Sequence, residues 1–196
     1  MILPIYAYGH PVLRQECEEI KENSSELKPL LDNMFETMYA AHGVGLAAPQ
    51  VGKALRLFIV DGTPYADDYK DGKSEEDQRE YKTLKTFKKA FINPIIVEED
   101  GDEWPFEEGC LSIPDIRADV DRPERVVIEY YNEKWELVEE EYYGMAARII
   151  QHEYDHIEGV LFTDHINPLR KRLLQRKLNN IKKGNIDPKY KMRFPK

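Results

Sequence analysis

Gln151-His152-Glu153-Tyr154-Asp155-His156 sits inside a stretch, Met145 to Glu158, that reads as one helix stopped at Gly159. Four residues apart on a helix, His152 and His156 share a face with their β-carbons about 5–6 Å apart, so both imidazoles can reach one ion. Glu153 between them points to one side. There its carboxylate can hold an attacking water without taking a coordination position, which is the geometry of a general base.

Two histidines leave the site incomplete, and the completion decides the chemistry. In the long zincin pattern a Gly stands three residues after the second His, as Gly159 does, and a third His stands six after it; position 162 is Phe162. A Glu some twenty residues downstream is the other familiar solution, but beyond Glu158 the only acids are Asp164 and Asp187. The missing ligand is therefore sought upstream. Cys110, flanked by Gly109 and Leu111 in a segment that reads as neither helix nor regular strand, is the best-placed candidate. Two imidazoles and a thiolate leave a fourth position open, the mark of a catalytic rather than a structural site. His10, His42 and His165 read as ordinary polar residues.

Outward from this centre, Leu27, Leu30, Leu31, Met34, Phe35 and Met38 recur at spacings of three and four, which predicts an amphipathic helix to about Ala41 with Ser at its cap. Strands are expected at Leu55–Val60, Ala90–Val97 (with Pro94 marking an edge or bulge), Arg125–Tyr131 and Trp135–Tyr142. Residues 62–89 are polar and rich in acids, and read as an exposed, turn-rich insertion. Asn167-Pro168 starts a last helix at about 168–183, with Leu169, Leu173, Leu174, Leu178 and Ile181 on one side and basic residues on the other. Strands without regular βαβ alternation favour an α+β fold: antiparallel sheets packed around the central histidine-bearing helix, with a C-terminal helix, all in one domain over 1–196.

Composition narrows the class further. With 196 residues, the chain can bury roughly 70% of its unfolded surface without disulfide staples. A hydrophobic share of 41% argues against disorder throughout. The N-terminus lacks a basic n-region and is interrupted by Pro4, and no apolar run approaches a membrane span, so a cytoplasmic protein with no membrane association is expected, its thiols Cys17 and Cys110 free. The net charge of −9 hides an asymmetry: eleven Lys and Arg against one acid from Pro168 onward make that tail +10 and leave −19 for the rest. An acidic body with a basic interaction arm is the reading.

Three segments together, Gly43-Val-Gly-Leu-Ala-Ala-Pro-Gln50, Glu108-Gly-Cys-Leu-Ser112 and Gln151-His-Glu-Tyr-Asp-His156, resemble the three signature motifs of the peptide deformylases, in that family's order. The resemblance runs from about Pro11 to His165. It implies that Cys110, His152 and His156 hold the metal and that Glu153 handles protons. It also implies that the Gln50 side-chain amide and the Leu111 backbone N–H meet the formyl oxygen as it gains charge. Gly45 and Gly109 would lie along the substrate backbone, and Val44, Phe106, Met145, Arg148 and Ile149 match the pocket for the methionine side chain. Arg148 departs from an all-apolar lining, either presenting its methylene stem or pointing away.

Spacing alone says that mixed sulfur and nitrogen donors suit Zn²⁺ or Fe²⁺; the resemblance implies Fe²⁺, with Zn²⁺ or Ni²⁺ able to substitute. It implies N-formylmethionyl peptides as substrates, hydrolysed to formate and a free amino terminus. For the basic arm it suggests ribosomal RNA, not DNA. Two other readings compete: a metallopeptidase cutting internal bonds, resting on the His-Glu-x-x-His pattern alone, and a non-catalytic ribosome-binding protein with a structural metal. An intact Glu153 and Gln50 argue against the last.

Overall fold

Period-two alternation builds the main sheet. From Ile113 to Tyr131 the inward positions run Ile116, Ala118, Val120, Arg122 and then Val126, Ile128, Tyr130, with exposed or half-buried residues between. The computed structural model describes residues 1–22 and 24–195; Asn23 and Lys196, the last of the basic tail residues, lie outside them. In chain order the elements are β1 (Ile5–Tyr6), α1 (Leu27–Ala40), β2 (Gly45–Ala47), β3 (Leu57–Asp61), α2 (Thr63–Tyr69), α3 (Glu75–Leu84), β4 (Lys88–Cys110), β5 (Ile113–Tyr131), β6 (Leu137–Tyr143), α4 (Gly144–Ile157), α5 (Phe162–His165), α6 (Pro168–Lys182) and β7 (Met192–Arg193).

The expected α+β architecture is the one observed. An antiparallel sheet runs in the order β2-β3-β4-β5-β6, and β1 pairs in parallel with β7 in a second, two-stranded sheet. Strands β4 and β5 form a long hairpin whose register shifts four times, and the first shift, between Ile92 and Ile95, brackets Pro94. A residue without an N–H cannot hold a ladder position, so the bulge falls there. Cys110 ends β4, paired with Ile113 across the turn Leu111-Ser112, where the sequence had suggested neither helix nor regular strand.

Helix α4 is the centre of the packing. Ten of its fourteen residues are buried, including Arg148, Gln151, Glu153 and His156, so it is covered nearly all round rather than on one stripe. Met145, Ala146, Ile149, Ile150 and Ile157 join Phe58, Phe91, Ile128 and Tyr142 of the sheet in one cluster. Its C-terminus closes as expected: Gly159 takes φ +73°, and the Val160 N–H reaches the Asp155 carbonyl at 2.8 Å.

Three expectations are corrected. Residues 62–89 are helical rather than turn-rich: α2 and α3 form a pair that buries Ala66, Glu80, Leu84 and Phe87. The acids suggesting an exposed segment are in part a helix start. Ser74 and Asp77 cap each other, and Glu75, Glu76 and Asp77 meet the positive end of the helix dipole. Helix α1 begins after Glu26 with no side-chain cap; Ser24 contributes only its carbonyl, to the Leu27 N–H at 3.1 Å. Lastly, the apolar stripe of α6 is split. Leu178 and Ile181 are buried and Leu174 half-buried, whereas Leu169 and Leu173 are 70% and 77% exposed. At 3.6 residues per turn, those two leucines sit about 80–180° around the helix from the docked three.

Helix α4 takes its N-terminal support from α3. Tyr143 offers no side-chain cap; instead the Met145 N–H donates to Glu80 Oε2 at 3.2 Å. Gly144 has φ +51°, and a β-carbon there would lie 2.4 Å from Glu80 Oε1, so the carboxyl occupies the space a side chain would need. Burial pushes the Glu80 carboxyl up to about 6, against the opposing pull of the Met145 N–H and Arg79. A carboxyl raised in the folded state stabilises fully below its unfolded value near 4.5, and that contribution is lost as pH rises through about 6. We expect Glu80 to remove about 1 kcal/mol of stability between those pH values, allowing for solvent screening, and Glu80→Gln to flatten that part of the profile. Urea midpoints at pH 4.5 and 6.5 check this; equal pH slopes in parent and variant would refute it.

Candidate active site

Each ligand candidate is placed by a simple local rule. His152 and His156 are one turn apart on α4, with ring centroids 5.2 Å apart. Glu108 and Cys110 are two residues apart on extended β4, so their side chains leave the same face of the strand. The sheet lays that face against α4. Cys110 Sγ comes to 3.3 Å from His156 Nε2, and one donor atom from each of Cys110, His152 and His156 lies within 4.8 Å of the others.

The donor set fits a single ion. Ligands at about 2.0–2.3 Å around a tetrahedral centre lie about 3.3–3.8 Å from one another, and the sulfur–nitrogen distance falls in that range. Burial pushes the Cys110 thiol up, but the neighbouring imidazoles, His156 foremost, bring it down to about 5, so the sulfur is poised as a thiolate. His152 donates its Nδ1–H to Glu108 Oε2 at 2.9 Å, which turns its other nitrogen to the site.

Behind the ligands lies a buried ionic network that the sequence reading missed. Glu108 Oε1 accepts from Arg122 Nε at 2.7 Å and from Arg148 Nη1 at 2.8 Å, while its Oε2 accepts from Arg122 Nη2 at 3.0 Å besides His152. Arg122 also pairs with Asp155 at 2.9 Å, and Asp155 with His165 at 2.8 Å. Burial alone would raise the Glu108 carboxyl; the hydrogen bonds from His152 and Arg122 hold it well below the usual carboxylate range instead. Two signals in the sequence pointed here. Arg122 falls on the inward register of β5, and Glu108 shares a strand face with Cys110.

Glu153 is buried, and its Oε2 has no hydrogen-bond partner among the described residues. Burial pushes its carboxyl up to about 7, although both histidines pull it down. A proton carrier with that balance suits work near neutral pH. A β-carbon on Gly45 would lie 2.3 Å from Glu153 Oε1, so Gly45 is glycine because the carboxylate lies against the β2 backbone.

Gln50 is oriented from behind. Its Oε1 accepts the Ala47 N–H at 2.9 Å, which directs the amide Nε2 to Ser112 Oγ at 3.2 Å and Cys110 Sγ at 3.4 Å. The donor therefore faces Cys110, one of the three residues that could hold an ion.

A cleft of about 490 Å³ opens over these groups. Val44, Gly45, Phe106 and Gly109 line one part and Met145, Arg148 and Ile149 of α4 another, so every residue singled out for the substrate borders this cleft together with Gln50, Leu111 and Glu153. His156 closes the site from beneath, 1% exposed. Arg148 directs its guanidinium into Glu108 and the Val120 and Trp104 carbonyls, stacked 4.0 Å over the Trp104 ring. Tyr65 of α2 and Lys189 and Tyr190 of the C-terminal segment also line the cleft, none of them anticipated. His10 caps the short turn at Val12, and among the described residues neither it nor His42 belongs to a potential metal-binding group.

A family model described as polypeptide deformylase matches residues 2–172. The chain is 55% identical over 195 residues to the peptide deformylase of Christiangramia forsetii, covering 100% of this chain and 97% of that one. It is 55% identical over 194 residues to the Flavobacterium psychrophilum peptide deformylase, covering 99% and 97%. Among solved structures, the Legionella pneumophila peptide deformylase superposes with a TM-score of 0.76 at 34% identity, covering 94% of this chain and 98% of that one. The Thermotoga maritima enzyme gives 0.71 at 39% identity, covering 86% and 99%.

Proposed function

The chain belongs to the polypeptide deformylase family, and from that premise we propose how its own residues carry out the hydrolysis. The reaction removes the N-formyl group from the N-terminal formylmethionine of new polypeptides and releases formate; it is metal-dependent. The observation that carries the assignment is the convergence of Cys110, His152 and His156 beneath a cleft that also presents Glu153 and Gln50.

Cys110 and the two histidines hold the ion. When bound, it supplies the Lewis acidity that a formamide, a poor electrophile, requires, polarising the carbonyl and making water acidic enough to attack near neutral pH. Glu153 takes the proton of the attacking water and returns one to the amine nitrogen as the C–N bond breaks. Gln50 Nε2 and the Leu111 N–H donate to the oxyanion, each worth about 3 kcal/mol in comparable sites. Gly45 and Gly109 let the peptide backbone approach closely, while Val44, Phe106, Met145 and Ile149 form an apolar wall for the methionine side chain. Arg148 contributes its stem to that wall, its charge engaged by Glu108.

We assign Fe²⁺ as the working ion, with Zn²⁺ or Ni²⁺ able to replace it; mixed imidazole and thiolate donors suit all three. Anaerobically prepared ferrous enzyme is expected to release formate from formyl-Met-Ala and to lose that activity in air, while the nickel-loaded form keeps it. A chelator should abolish turnover, and readdition of Fe²⁺ should restore it. Ferrous protein that releases no formate, or that cuts blocked internal peptides instead, would overturn the reading.

The finer proposal for partners is a ribosomal RNA contact through α6. Arg172, Arg176 and Lys177 are exposed with no acidic partner among the described residues, beside exposed Leu169 and Leu173. Arg170 and Lys171, by contrast, pair with Asp119 and Asp164. Neutralising the three unpaired cations should weaken ribosome binding and flatten its salt dependence; binding with an unchanged salt slope counts against the contact. Among the described residues no helix is long and apolar enough to cross a membrane; we assign the enzyme to the cytoplasm, on the ground that its substrate is a chain still being made.

A further inference from the structure

Beyond α6 the chain turns at Gly184 and runs back to the active site. It adds β7 beside β1 through the Ile5 N–H to the Lys191 carbonyl and the Ala7 N–H to the Arg193 carbonyl, both 2.9 Å. On the way, the Tyr190 hydroxyl donates to the Leu111 carbonyl oxygen at 2.7 Å. The next carbonyl, that of Ser112, accepts the Tyr8 N–H at 2.8 Å. Two successive carbonyls of the Cys110–Ser112 turn are thus held by Tyr190, just before β7, and by Tyr8, just after β1. The turn lies where the β4–β5 register shifts between Gly109 and Cys110, so the ladder alone does not define it. The region matched by the family model ends at residue 172, so Tyr190 lies outside it.

We propose that Tyr190 is a positioning residue for the hydrolysis: by holding the Leu111 carbonyl it fixes the conformation of the turn and so the direction of the Leu111 N–H. This inference rests on the assignment of that N–H, with Gln50, to the oxyanion. An oxyanion donor acts only if it already points at the place where charge develops, and displacements near 1 Å in such sites cost about 10²-fold in rate. Burial, and then the neighbouring Cys110 and Asp115, push the Tyr190 phenol up, so it remains a protonated donor through neutral pH.

Tyr190→Phe removes one hydroxyl and keeps the ring, so the packing stays. Its kcat on formyl-Met-Ala is expected to fall about tenfold with KM within about twofold. In the metal-free protein, hydrogen exchange at the Leu111 and Ser112 amides is expected to quicken about tenfold, with exchange in α4 unchanged. Gln50→Ala is measured beside it. If Gln50→Ala loses kcat while Tyr190→Phe keeps both kcat and slow exchange, the positioning role fails and the oxyanion assignment survives. If Gln50→Ala keeps full kcat, both fail. A rise in KM alone in Tyr190→Phe also refutes the proposal, since it would put the hydroxyl on the substrate.

Discussion

Glu153→Gln is expected to lower turnover on formyl-Met-Ala by about 10³-fold while metal content stays at the parent level. The size follows from the loss of a positioned proton carrier, worth about 10²–10⁴-fold; the selectivity follows from geometry. Glu153 lies between the two histidine positions but is not one of the clustered donors, and among the described residues its Oε2 has no hydrogen-bond partner. Gln keeps the volume against Gly45 and loses only the capacity to accept and return a proton. Cys110→Ser should show the opposite pattern, losing metal together with activity, because a hydroxyl at that position is not deprotonated as a thiolate is. Anaerobic kinetics with metal analysis on both variants separates the roles. A Glu153→Gln enzyme within tenfold of the parent would sink the proton assignment, as would one that had lost its metal.

Glu108→Ala is expected to destabilise the fold by about 3–5 kcal/mol, the usual cost of removing one partner from a buried ionic group, and to weaken metal binding by about 10–100-fold. One carboxylate serves two guanidiniums and one imidazole: Arg122 and Arg148 are only 4% and 3% exposed at the side chain, and His152 takes its orientation from the same oxygens. Arg122 retains Asp155, which limits its loss; Arg148 retains two carbonyls and, among the described residues, no second ion-pair partner. The pH dependence has a definite sign. A carboxyl held below its ordinary 4.5 contributes fully above that value and loses the contribution as pH falls beneath it. The parent should therefore lose stability on acidification more steeply than Glu108→Ala. Denaturation midpoints at pH 7 and 4, with metal titrations, provide the check; a variant within 1 kcal/mol of the parent and with unchanged metal affinity would refute the argument.

What could be seen in the sequence was what depends on short spacings. The helical interval of His152 and His156, the stop at Gly159 and the Met and Phe stripe of α1 are each set within a few residues, and α1 and α4 form near their expected bounds. Cys110 was reached by elimination of the downstream completions and Gln50 through the coincidence of three motifs, since nothing in their local spacing brings them to α4. What escaped detection were partners chosen across the fold. Arg122 meets Glu108 from a paired strand, Glu80 caps a helix from 65 residues away, and Tyr190 reaches a turn 79 residues upstream. The helices of 62–89 were hidden for another reason. Their buried faces are small, so apolar periodicity is faint, and their acids cap and complement a helix start while resembling an exposed loop. Leu169 and Leu173 misled because apolar residues on one helix need not share one face.

The parallel pairing of Ile5 with Met192 joins segments 187 positions apart. Closing so large a loop is among the slow steps available to a chain, and it waits for residues 192 and 193 to leave the ribosome. The turn that carries Leu111 is clasped by that closure. In a chain made from its N-terminus, the turn beside Cys110 can gain this clasp only after the residues around Tyr190 have been made.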